Sequence, residues 1–358
     1  MITGDMDMVA GLLQEAVYKQ ASDLHLTVGL PPMLRINGSL SPLERSVLRA
    51  EDIRNCLLGV ASEEQCKVLT ERGEIDFSYE DGRLGRFRIN AFRQKGAVSI
   101  AIRLIPVHIA TLEQLCMPEA VKVLARKPHG LVLITGPTGS GKSATLAAML
   151  DLINSEKACH ILTLEDPIEY IHQHKKSMIN QREIHTDTVS FRNALRSALR
   201  EDPDVILVGE MRDPETIGTV ITAAETGHLV LATLHTCNAA QAIDRIIDAF
   251  PSHQQQQIRV QLSLTLQGII AQQLLPRING KGRVAAVEIL VATAAARNLI
   301  REGKTHQLIS VIQSGNKFGM QSMDMILLNL YRQGIVSYDE AVMRSTDADA
   351  FARLTKTG

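Results

Sequence analysis

The stretch LVLITGPTGSGKS, residues 131–143, decides the fold. Its first five residues are apolar and fit a strand. GPTGSGKS then matches G-x-x-x-x-G-K-[ST] in full, and a helical pattern follows, which is the context this motif requires. The glycines let the backbone curl until its N–H groups face phosphates. The helix adds the positive end of its dipole. Gly136, Pro137, Thr138, Gly139, Ser140, Gly141, Lys142, Ser143 and Ala144 are therefore the expected nucleotide-binding residues. Lys142 brings its charge to the β and γ phosphates, and Ser143 offers a hydroxyl to Mg. Ala144 sits inside the helix and needs no polar role. The expected cofactors are ATP and Mg.

Three more apolar runs follow: HILTLE (160–165), VILVG (205–209) and LVLATLH (229–235). Helical stretches separate them. Continuous apolar runs alternating with helices imply a parallel sheet buried on both faces. The fold class is α/β, with this P-loop core over residues 119–290. Residues 291–358 show helical patterns only, in ARNLIREGKTHQLISVIQ, SMDMILLNLYRQG and SYDEAVMRST. Residues 1–105 read as a separate α+β domain. They begin with an amphipathic helix over 5–20. Strands follow in ASDLHLTV and PPMLRINGSLSPL, where Asn37-Gly38 signals a tight hairpin turn. Two short helices lie within 48–73, and IDFSYE, GRFRINAFRQ and AVSIAIRLI are further strands. Residues 106–118 read as a linker with two prolines.

Strands of such sheets carry chemistry at their C-terminal ends. VILVG leads into Glu210, where the pattern of a nucleotide hydrolase calls for an aspartate near the metal. A glutamate placed one residue further on reaches the same region through its extra methylene. The bland alternative is a solvated loop acid paired with Arg212. HILTLE runs into EDPIE, so Glu165, Asp166 and Glu169 join the same edge. A hydrolase needs one carboxylate near the metal, here with Ser143 as its partner ligand, and one to orient or deprotonate water. His228 and His235 bracket the strand LVLATL; each is either a packed or capping histidine or a sensor beside the carboxylates. Arg83, Arg86, Arg88, Arg93 and Arg103 cluster in the first domain. Alternation puts Arg86 and Arg88 on one face. That face is either a solvated basic surface or a source of cations for transferred phosphate.

The chain has 358 residues, 45% hydrophobic and 22% charged, with a formal net charge of -1. That balance disfavours nucleic acid as the main partner. Five cysteines without a CxxC pair suggest neither a zinc site nor a disulfide framework, so a cytoplasmic location is expected. The N-terminus is acidic and unlike a signal peptide. The apolar runs are too short to span a membrane.

GPTGSGKS, LEDPIEY, VILVGEMRDPETI, TGHLVLATLHT and ASDLHL together resemble the secretion-ATPase superfamily of type II secretion and type IV pili. The likeness extends over nearly the whole chain. AARNLIRE (295–302) and GMQSMDMILLNLY are similar to its retraction branch, whose signature has isoleucine where this chain has Ala296. The assembly and secretion branch usually carries paired CxxC cysteines and a longer N-terminal region, and neither is present here. The resemblance implies a PAS-like N-terminal domain, a RecA-like ATPase core and a hexameric ring. It implies Glu169 as the catalytic glutamate and Glu210 as the normal end of the metal-binding strand. It matches His228 and His235 to histidine boxes and puts Arg88 and Arg103 in strands that supply phosphate-contacting arginines. The implied activity is ATP hydrolysis that powers pilus retraction and twitching motility. The implied partners are further copies in a homohexamer, a platform protein of the inner membrane at the pilus base, and a second retraction ATPase. The rivals are an accessory retraction ATPase, a motor of assembly or secretion, a nucleotide-gated scaffold and a RecA-like translocase on nucleic acid.

Overall fold

A computed structural model describes residues 3–36, 38–106, 108–280 and 282–356. The chain divides into two compact units, Met1–His108 and Ile109–Gly358.

The first unit is built on six antiparallel strands: β1 (Asp23–Leu26), β2 (Met33–Ile36), β3 (Ser39–Pro42), β4 (Glu74–Asp81), β5 (Gly85–Gln94) and β6 (Ala97–Leu104). Their order is β3-β2-β1-β6-β5-β4. PPMLRINGSLSPL supplies two strands, with Ile36 paired to Ser39 across the turn. Gly38 has φ 86°, which its missing Cβ permits, while Asn37 lies outside the described residues. Leu24, Leu26, Phe87, Ile89, Ala91, Ile100 and Ile102 alternate onto one face. Leu12, Leu13 and Ala16 of helix Thr3–Tyr18 and Ile53 and Leu57 of helix Ala50–Leu58 cover it. The opposite face carries Asp23, Arg88 and Arg103.

The second unit holds a seven-stranded sheet. Its strands are β7 (Gly130–Thr135), β8 (His160–Glu165), β9 (Met178–Glu183), β10 (Val205–Val208), β11 (Leu229–Leu234), β12 (Leu266–Pro276) and β13 (Arg283–Val291). The order is β13-β12-β7-β11-β10-β8-β9. All neighbours are parallel except β12 and β13. The alternation of each apolar run is visible in the packing. Leu131, Leu133, Ile206, Val208, Val230 and Ala232 enter one core, with helices Phe191–Ala198, Pro214–Glu225 and Ala239–Asp248. Val132, Ile134, Val205, Leu207, Leu229 and Leu231 enter the other, with helices Glu119–Ala125 and Lys142–Glu156. Leu112 and Met117 also pack into this second core, so most of the segment expected as a linker is fixed to the unit. The pattern predicts four strands here; β9, β12 and β13 are additional. Beyond β13 the helical pattern holds, but Gly303, at φ 70°, divides the first stretch into Ala294–Arg301 and Leu308–Ser314.

Candidate active site

β7 ends at Thr135 in the middle of the sheet, and residues 136–141 join it to the 15-residue helix Lys142–Glu156. Gly136 has φ 146°, and a Cβ there would lie 2.2 Å from the Gln272 carbonyl oxygen. Gly141 has φ 87°, and its Cβ would meet Gln272 Nε2 at 2.8 Å. These two motif glycines are thus demanded by the neighbouring strand. Gln272 of β12 is 2% exposed. Its Nε2 donates to the Ser140 carbonyl (2.8 Å) and its Oε1 accepts from Thr145 Oγ1 (2.8 Å). No acid stands in the helix's first turn and no side chain caps it, leaving its N-terminal N–H groups suited to an anion. Lys142 is buried, and its ammonium donates to the carbonyls of Gly136 (2.8 Å) and Pro137 (3.1 Å). Burial lowers its pKa, against the pull of Glu210 and Glu169.

Thr138, Gly139, Lys142 and Ser143 line a cavity of about 650 Å³ together with Glu165, Asp166, Glu169, Glu210 and His235. The structure therefore joins the phosphate loop and the carboxylate edge in one site. Gly136, Pro137, Ser140 and Gly141 frame the loop without lining the cavity. Ala144 does not line it either, as its apolar side chain suggests.

β10 stops at Val208, and Gly209 lets its end approach β8 closely: a Cβ there would lie 3.2 Å from the Leu164 oxygen and 3.3 Å from Glu165 Cα. Thr233 of β11 donates its hydroxyl to the Gly209 carbonyl. Glu210 then projects between Arg212 (2.6 Å) and His235 Nε2 (3.4 Å). The pairing with Arg212 is real, yet the carboxylate also faces the cavity. Burial pushes its pKa up, but Arg212, His235 and Lys142 outweigh that and the net shift is downward. Glu165 behaves oppositely. Burial raises its pKa to about 7, even with Thr163 and Gln181 donating to Oε1 at 2.7 and 3.2 Å. The loop carrying Asp166 and Glu169 is tied to β9: Ile168 N–H donates to Glu183 Oε2 (3.2 Å).

His228 is not part of this arrangement. It precedes β11 at the sheet edge opposite the loop, separated from His235 by roughly 20 Å of strand. There Nδ1 lies 2.9 Å from the Ala223 carbonyl and 3.2 Å from Thr226 Oγ1, closing the end of helix Pro214–Glu225. The placement of His228 beside the carboxylates is thus corrected to a capping position, because a histidine before a six-residue strand and one after it cannot share an edge. Arg88 and Arg103 belong to the first unit. They are direct partners on β5 and β6, with Arg103 Nε donating to Asp23 (3.0 Å) and Arg88 Nε 3.6 Å from Asp76.

Residues 6–282 match the model of the family described as Type II/IV secretion system protein. The chain belongs to this family. It is 50% identical over 333 residues to the type IV pilus retractation ATPase PilT of Pseudomonas aeruginosa, covering 93% of this chain and 96% of that one. Identity to the type IV pilus ATPase PilU of the same organism is 44% over 347 residues, 97% of this chain and 91% of that protein. A crystal structure of the pilus retraction motor PilT with bound ADP superposes with a TM-score of 0.91 at 48% identity, covering 97% of this chain and 99% of the other.

Within this family fold the residues fit a nucleotide with a divalent cation. Among the described residues no group of three or more His, Cys, Asp or Glu could hold a metal by itself. One hydroxyl (Ser143) and one nearby carboxylate (Glu210) suit an ion that takes its remaining ligands from phosphates and water. Gln272, Glu183 and Gly209 are site-forming residues that pattern alone does not single out. A buried glutamine amid apolar neighbours (IIAQQLL) is the available signal for the first.

Proposed function

We propose that this chain is an ATP-hydrolysing motor that retracts type IV pili. The observation that carries it is a full phosphate loop in one cavity with the carboxylates Glu165, Asp166, Glu169 and Glu210, in a chain half identical to PilT along nearly the whole of both. The retraction reading is favoured over the accessory one by 50% against 44% identity. The finer parts belong to the same proposal: Mg as the metal, six copies in a ring, a cytoplasmic location at the inner-membrane pilus base, a platform protein as docking partner and a second retraction ATPase beside it. No helix of the described residues is long and apolar enough to cross a membrane.

In this reading the loop and the open helix end grip the β and γ phosphates of ATP. Lys142 exchanges its loop carbonyls for phosphate oxygens. Ser143 and Glu210 are the residues that would hold Mg, which would supply positive charge against the transferred group. Glu210 is paired with Arg212 in this structure and would exchange that partner for the ion. Glu169, exposed at the cavity wall, orients the attacking water and takes its proton. Asp166 and Glu165 complete the acidic wall, and His235 holds Glu210 from the other side. Arg88 and Arg103 stabilise charge on the transferred phosphate.

A deletion strain separates the directions of work. Excess surface pili with lost twitching are expected; bald cells would refute retraction and support assembly.

A further inference from the structure

We infer that Gln272 is a positioning residue for phosphate binding: by clamping the Ser140 carbonyl from beneath, it aims the Gly141 N–H into the phosphate loop. The inference rests on the nucleotide-binding reading of this loop. Its basis is the geometry of one peptide. In a trans peptide the C=O and the following N–H point in opposite directions. The Ser140 carbonyl is drawn toward β12 by Gln272 Nε2 at 2.8 Å. The Gly141 N–H therefore points away from β12, to the side where a phosphate enters. Backbone bonds hold the units on either side, Ser140 N–H to the Pro137 carbonyl and Thr145 N–H to the Gly141 carbonyl, while the Gln272 amide holds the Ser140 carbonyl between them; Gly141, at φ 87°, has no side chain to do so.

The clamp is itself rigid. Thr145 Oγ1, one turn into the helix, donates to Gln272 Oε1 at 2.8 Å, which sets the amide so that its nitrogen faces Ser140. β12 is held by β13 from Gly268 to Pro276, Gln272 included, and by β7 up to Ala271. Gly136 and Gly141 leave no room between loop and strand, since a Cβ at either would fall within 3 Å of Gln272. Glutamine suits the position because the task needs one acceptor and one donor on a single buried planar group. Glutamate keeps the acceptor for Thr145 but turns an oxygen toward the Ser140 carbonyl, and it adds negative charge under the anion site.

The test is competition of inorganic pyrophosphate against a fluorescent ADP analogue on the full-length chain. Pyrophosphate reads the loop without the base. Gln272→Met keeps the volume and removes both hydrogen bonds; Gln272→Glu reverses one of them. Both are expected to weaken pyrophosphate about tenfold or more, the glutamate variant most, because the lost contact leaves a buried carbonyl without its donor. Melting temperature is measured alongside. A Gln272→Met protein that melts like wild type and binds pyrophosphate as tightly overturns the inference. Should Gln272→Met fail to fold, Gln272→Glu decides alone, and unchanged affinity there overturns it equally. Wild-type protein that fails to bind pyrophosphate, with no difference on Lys142→Ala, would instead strike down the nucleotide-site reading.

Discussion

Single residues carry most of the predicted chemistry, and two of them make opposite demands on their charge. Lys142 stays buried with its ammonium on two loop carbonyls. Lys142→Ala is expected to abolish nearly all hydrolysis, by roughly 10²–10³-fold, as for other preorganised charge contacts. Steady-state ATPase within a few-fold of wild type would sink the assignment of the loop. Glu165 has its pKa raised from 4.5 to about 7 by burial. For a carboxyl shifted upward, the ionised form is the disfavoured one in the fold. The cost is absent below the unfolded value of 4.5 and complete above about 7, so wild type loses stability as pH rises through that window. Glu165→Gln cannot ionise and escapes the loss. Melting temperatures from pH 5 to 8 should therefore show the variant gaining on wild type as pH rises; a difference independent of pH would mean that Glu165 is charged throughout. Lys142, Glu165, Asp166, Glu169 and Glu210 were all legible in the sequence, because each follows an apolar run that is unmistakable. The histidines were legible only as a pair. Pattern gives two strand termini but not which edge each occupies, and the distance along β11 separates them.

At the scale of elements, legibility followed burial. β7, β8, β10 and β11 are central, covered on both faces, and so spelled in nearly uninterrupted Val, Leu and Ile. β9 is an edge strand, MINQRE, with four polar residues among six, and carries no such run. β12 follows helix Ser252–Thr265 without a glycine or proline between them, and an apolar run of that kind does not declare its period. These two less legible strands bring Glu183 and Gln272 to the site, so the supporting shell was hidden with them. Gly209 shows how closely the elements must meet. Adding a methyl presses it against the backbone of Leu164 and Glu165 at 3.2–3.3 Å, and backbone yields less than a side chain. Gly209→Ala should cost about 1–3 kcal/mol by overpacking. It should also reduce turnover, since the ends bearing Glu165 and Glu210 are forced apart. Thermal unfolding together with ATPase measurement checks both; a variant as stable and active as wild type would show that the two strand ends tolerate separation.

For the whole molecule, the open issue is what the first unit contributes to a reaction whose phosphate loop lies in the second. Arg88 and Arg103 are paired with Asp76 and Asp23 on the outer face of the first sheet, and their side chains are 39% and 64% exposed. Ion pairs that exposed contribute only ~0–1 kcal/mol, so they do not explain themselves as stabilisers. A motor must convert loss of the γ-phosphate into movement, and cations that bind that phosphate in one arrangement only would do so. On this proposal the carboxylates hold the arginines while no nucleotide engages them. Arg88→Ala and Arg103→Ala should then each cut kcat strongly, while leaving oligomer size, ADP affinity and melting temperature near wild type. Asp23→Asn adds a sharper discrimination. If Asp23 only parks Arg103, freeing it should preserve turnover or raise it. If the pair matters as structure, Asp23→Asn and Arg103→Ala should be equally damaging, and to stability as much as to rate. ATPase assays on size-checked protein, with thermal melts of the same samples, distinguish these. Full activity of both arginine variants as intact assemblies would exclude the clamp and leave the first unit to be driven by some other contact.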